Sequence, residues 1–188
     1  MKELLNIRDI KNIQKLDSEY DLQKALLLDR KLRLLVKDNA SLKPIRTKLR
    51  GLIQEYEEQE WSNSEFISDQ QVKETDIAEQ LVEFERRFVQ RRKNIIRKRL
   101  KSYEMTQQDL GVLLGHNKSY ISELINGVSK FSLKDLVVIH RVLKIDLLML
   151  VPTFLQDETK ERIKKSIAKI NKPKLKLSKE DLLISSAR

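Results

Sequence analysis

Lys118, Ser119, Ser122, Glu123 and Asn126 recur at steps of one, three and four residues, so on a helix they share one polar face. Their chemistry is that of reading base edges. Lys118 can donate to guanine O6 and N7, Ser119 can serve either base, and Glu123 can accept from cytosine N4. Asn126, near the end of the stretch, and Gln107, some way before it, are placed for phosphate oxygens; the free amides around Gln107 already favour an anion if a helix begins there. Asn117 and Tyr120 complete the exposed set. Each of these side chains taken alone is equally well an ordinary solvated residue, so the frame that holds them decides.

That frame is the segment TQQDLGVLLGHNKSYISELING, Thr106 to Gly127. Thr106 is a good N-cap: its hydroxyl can accept from the amide of Asp109, whose carboxylate suits a first helical turn. Leu110, Leu113 and Leu114 make the apolar stripe of a first short helix, and Ile121, Leu124 and Ile125 that of a second. Gly115 stands where the first must end, Asn117 caps the second, and Gly127 closes it. Two short helices meeting at one glycine are a helix-turn-helix. The N-terminal part of its second helix meets base edges in the major groove of double-stranded DNA, while the first crosses the phosphate backbone.

On these residues the segment from Ile95 to Pro152 resembles the five-helix domain of the Xre and phage-repressor class of DNA-binding proteins. The threonine–glutamine opening, the Leu114–Gly115 pair, the central Ser122 and the closing Gly127 fall in register. The resemblance implies that Lys118, Ser119 and Glu123 are base-reading positions and that Gln107 and Asn126 clamp phosphates. Many relatives pair an arginine and a glutamate where this chain has Leu100 and Ile125; both being apolar here is a consistent swap, and often neutral or stabilising. Gly111 replaces the usual small alanine, a mild helix cost that permits close packing.

The elements around this unit are helical throughout. With 4 Gly and 3 Pro in 188 residues the punctuation needed for strands and tight turns is missing. The absence of cysteine excludes disulfides and thiolate metal sites. The first residues lack a signal-peptide pattern, and the longest apolar run is too short to cross a bilayer, so a soluble cytoplasmic protein is expected. The net charge of +10 is unevenly placed. Acidic residues crowd the stretch from Glu55 to Glu85, and from Arg86 to Lys101 the sign reverses. Arg97 and Arg99 in that basic block, on the helix entering the helix-turn-helix, are expected to neutralise phosphates.

Before Trp61 a separate helical unit is expected. Asp17 and Ser18 offer caps for a helix carrying Tyr20, Leu22, Ala25, Leu26, Leu28, Leu32, Leu35 and Val36. Residues 37–40 break it, Ser41 caps a second helix with Pro44 in its first turn, and Gly51 inside that helix is explained by close approach of a neighbour. This hairpin is too small for a robust core of its own and must pack on the rest of the chain or on a partner. Residues 19–26 and 49–61 resemble the N-terminal region of HigA-type antitoxins. That resemblance implies a partner, a basic RelE/HigB-like mRNA-cleaving toxin, bound through Tyr20, Leu26, Ile53, Tyr56, Glu57 and Trp61. It also implies repression of the protein's own operon by an antitoxin homodimer.

The expectation is therefore an all-α chain, an N-terminal helical hairpin module plus a five-helix lambda-repressor-like helix-turn-helix domain. The parts are residues 1–61, an acidic linker 62–80, a DNA-binding domain 81–152 and a basic C-terminal helix and tail 153–188. The alternative is an Xre-family transcriptional regulator whose N-terminal helices oligomerise or sense, without a toxin partner. An enzyme is not expected, and neither a cofactor nor a metal is called for. The neutral-pH bases are His116, in the turn and destined for phosphate or solvent, and His140, a packing or surface residue. No phosphate-cradling glycine loop or nucleophile elbow is present.

Overall fold

Ser18 opens the first long helix of the computed structural model, its hydroxyl accepting from the Asp21 amide at 3.2 Å. The structure describes residues 7–60, 68–152, 155, 157–172, 174–175 and 177–178. Ahead of Ser18 lies a single-turn helix, α1 (Ile7–Ile10), both of whose isoleucines are buried. Helix α2 (Glu19–Leu35) buries Leu22, Ala25, Leu28 and Leu32 at three- and four-residue steps. The cap after it is Asn39 rather than Ser41: its side chain accepts from the Ser41 amide at 3.2 Å and hydroxyl at 2.7 Å, and starts a 3-10 turn, Ala40–Leu42. Helix α3 (Lys43–Glu60) follows, burying Leu49, Leu52 and Ile53. Arg46 clasps Asp29 across the hairpin, at 2.8 Å and 3.4 Å. Gly51 does not mark a close approach. It is exposed, and a Cβ there would meet nothing within 4 Å.

Regular helix begins at Asp69, well inside the stretch expected to be a linker. Ser68 and Gln71 form a capping box, and α4 (Asp69–Ser102) then runs 34 residues, about 50 Å, without a break. Its first half buries Ala78, Val82 and Glu85, and its second half Ile96 and Leu100. Helix α2 lies against it, and the expected boundary at residue 80 falls inside this one rod. The hairpin and the helix-turn-helix are joined in one compact unit, Leu4–Leu150, rather than held apart. The buried apolar residues of α1, α2 and α3 form a cluster that also takes in Val128, and α2 packs along α4.

The remaining helices are α5 (Gln107–Leu114), α6 (Lys118–Asn126), α7 (Leu133–Leu143) and the single turn α8 (Leu147–Leu150). With the second half of α4 they make the expected five-helix arrangement around Leu110, Ile121, Leu124, Ile125, Ile139, Leu143 and Leu150, each no more than 2% exposed. Leu100 and Ile125 are both buried, so hydrocarbon fills the place of the internal ion pair. Leu113, expected in the core stripe, is exposed; Gly111 takes its place facing α6, where a Cβ would come 2.8 Å from the His116 carbonyl oxygen. A second unit, Met1–Glu3 with Val151–Arg188, contains α9 (Asp157–Ile170), an amphipathic helix as expected. Among the described residues there is no strand, and no helix is long and apolar enough to cross a membrane.

Candidate DNA interface

The turn between α5 and α6 is built as its residues require. Thr106 accepts from the Asp109 amide at 3.2 Å, and the Asp109 carboxylate accepts from the Thr106 amide at 2.7 Å. These bonds to the anion hold the Asp109 carboxyl below its ordinary range. Gly115 ends α5 at φ 72, a left-handed conformation that costs a side chain dearly. Asn117 caps α6, its side-chain oxygen accepting from the Tyr120 amide at 2.9 Å. Gly127 closes α6 at φ 67, and a Cβ there would also strike Val89 at 2.5 Å.

The first turn of α6 presents Asn117, Lys118 and Ser119 to solvent, while Ser122, Glu123 and Asn126 are half-buried. Gln107 is half-buried in the first turn of α5. Several candidate readers already have partners inside the chain. The Ser119 hydroxyl accepts from Asn39 at 2.7 Å. The Glu123 carboxylate accepts from Ser129 at 3.0 Å, and burial raises its pKa despite that bond and the Arg8 charge. Tyr120 packs edge-on to His116 with the Arg8 guanidinium 5.0 Å from its ring centre. Asn126, expected on phosphate, takes a hydrogen bond from Lys93 at 2.7 Å and gives one to the Ser122 carbonyl at 2.8 Å.

The basic block on α4 is not one surface. Arg92 is largely internal: it lies over the rings of Phe88 and Phe131 and donates to the Leu150 carbonyl at 3.2 Å, and burial pulls its pKa down to about 10. Arg86 and Arg87 are held by Glu83 at 2.5 Å and 2.8 Å, which keeps the Glu83 carboxyl down at about 2. Arg97 and Arg99 are exposed, as phosphate contacts must be, but Arg99 reaches the Lys144 carbonyl at the end of α7, at 3.5 Å. His116, expected on phosphate or solvent, is half-buried and has a partner inside the chain. Its Nε2 lies 3.0 Å from buried Asp135, which also caps α7 through Ser132. His140 is the expected packing residue; its Nδ1 faces the Ile145 carbonyl at 2.7 Å and therefore carries the proton.

Among known families, a helix-turn-helix family model matches residues 96–150, the span from buried Ile96 to buried Leu150. A helix-turn-helix domain occupies these residues. No curated protein and no solved structure matches the chain. The match covers less than a third of the sequence and does not include the hairpin.

The residues expected to bind a toxin divide in the structure. Ile53 is core, 8% exposed, and cannot be a surface contact. Tyr20 is spent inside the chain, its hydroxyl donating to Glu85 at 2.5 Å. Half-buried Tyr56 packs on the hairpin core, and burial together with Glu19, Glu60 and Asp21 pushes its pKa up to about 12. Leu26 and Glu57 line an open groove of about 650 Å³ with Glu19, Leu22, Glu58 and Thr75, between the hairpin and the start of α4. Trp61 lies outside the described residues. Sequence reasoning missed Arg8, Lys31 and Asn39, which reach the helix-turn-helix from the hairpin side.

Proposed function

We propose that the protein is a sequence-specific DNA-binding regulator without enzymatic activity, acting through the first turn of α6. The observation that carries this is the exposed trio Asn117, Lys118 and Ser119, on a helix held rigid by a left-handed Gly115 and by Ile121, Leu124 and Ile125 behind it. A donor cluster at the N-terminal end of such a helix is what reads base edges. Exposed Arg97 supplies phosphate neutralisation. One unit reads a half-site, so the working form is a homodimer, with exposed Leu147 and Leu148 as its contact. Presenting the full chain with a random pool of duplexes tests the reading. A defined motif should enrich, bound on the order of a thousandfold tighter than scrambled duplex; recovery of unrelated sequences would refute it.

A finer reading rests on the groove at Leu22, Leu26, Glu57 and Glu58. An apolar floor with carboxylates at its rim fits a basic protein, because opposed fields speed and orient docking. With the HigA-type resemblance, that partner is a RelE/HigB-like toxin and the protein its antitoxin and operon repressor. The alternative regulator without a toxin would leave the groove empty.

A further inference from the structure

We propose that the N-terminal hairpin gates the DNA-reading helix: the folded chain holds α6 partly covered, and full entry into a major groove requires the hairpin to swing off. This rests on the DNA-reading assignment above and concerns the regulation of that same site. The covering is built from five places. Asn39, in the turn between α2 and α3, donates to Ser119 at 2.7 Å. Leu35, Asp38 and Leu42 of the hairpin face Lys118, Ser122 and Glu123 across a cleft of about 640 Å³. Arg8 stacks on Tyr120. Lys31 donates to the Gly127 carbonyl at 3.4 Å, at the end of α6. The Ile7 amide donates to the Val128 carbonyl at 3.3 Å, and the Val128 side chain sits fully buried in the hairpin's own apolar cluster.

A major groove about 12 Å wide admits one helix of about that diameter. It has no room for α6 together with the turn lying 2.7 Å from Ser119. Duplex and hairpin therefore compete for α6 from Ser119, which the Asn39 turn holds, to half-buried Ser122 and Glu123, while Asn117 and Lys118 stay exposed for encounter. Because opening uncovers Val128 and Ile7, the closed form predominates, and apparent DNA affinity is the intrinsic affinity reduced by the open fraction. Any ligand that binds only the released hairpin raises DNA affinity, and one that binds only the closed form lowers it.

The chain has no cysteine, so a single engineered pair can lock it cleanly. Ile7→Cys with Val128→Cys joins two hydrogen-bonded residues of one buried cluster, neither of them on the reading face. A duplex is first enriched from a random pool with the reduced full-length variant, and its Kd is then measured before and after oxidation. Oxidation should weaken binding at least tenfold and leave the wild type unchanged. A second variant, Arg8→Ala with Asn39→Ala, loosens the cover without a crosslink and should bind the duplex several-fold tighter than wild type. It decides the matter if the cysteine pair does not fold, as judged by thermal melting. Equal or tighter binding after oxidation, or no gain in the loosened variant, overturns the gate alone. If no form enriches any duplex, the DNA-reading assignment itself falls.

Discussion

Lys31 shows what burial does to a single cation. Its side chain is pressed between α2 and α4 and donates to the Gly127 carbonyl. Burial, aided by Arg92 and Lys93 and only partly opposed by Glu85, lowers its pKa from 10.5 to about 8. In that window the unfolded chain holds more protons than the folded one, so stability must rise as pH increases from about 8 toward 10.5. Lys24, buried against Glu85 at 3.4 Å, is lowered by burial in the same direction. Lys31→Met should therefore stabilise the protein by about 1 kcal/mol at neutral pH. It should also shrink the alkaline rise, as read by urea unfolding from pH 7 to 10; an unchanged rise would clear Lys31 of the effect. At this scale the caps Thr106 and Asn117 were legible, and Ser18 as one of two candidates, because each acts on an amide three residues away. The partners of Ser119, Tyr120 and Asn126 were not, since Asn39, Arg8 and Lys93 lie far off in sequence.

Elements were legible where a local period and a local stop agreed. The α5–turn–α6 unit is such a case. Its one slip, Leu113 outside and Gly111 inside, arises because a Leu113–Leu114 pair cannot tell which member faces the partner helix. The start of α4 was less readable: Ser68 and Gln71 form a capping box, but the polar sequence after them buries little until Ala78. α1 is four residues long and carries no periodic signal. Gly51 was misread for a plain reason, that a glycine inside a helix reports a cost and not its cause; nothing in the structure explains it. The groove belongs to this scale too, since α2, α3 and α4 each contribute to it. Reversing two rim charges, Glu57→Lys with Glu58→Lys, should abolish protection of cells from a co-expressed basic RelE-like ribonuclease and leave DNA binding intact. Undiminished protection would move the partner elsewhere; protection absent in the wild type would favour the regulator without a toxin.

For the whole molecule, charge and composition correctly announced a helical chain with a basic helix before its reading unit. They did not announce that α4 is one rod on which both the hairpin and the helix-turn-helix pack, or that the hairpin rests against α6. Both depend on contacts far apart in sequence, Tyr20 and Lys24 with Glu85 for the rod and Ile7 with Val128 and Lys31 with Gly127 for the hairpin, which leave no pattern along the sequence. On the proposed reading, DNA and the hairpin draw on the same helix, so their energies are coupled. The most direct test of the account is a base-by-base substitution profile of the enriched duplex, measured with wild type and with Lys118→Ala. The variant should lose about 1–3 kcal/mol and relax its preference at one base pair, with the other positions discriminated as before. An equal loss on every sequence, or an unchanged profile, would contradict it.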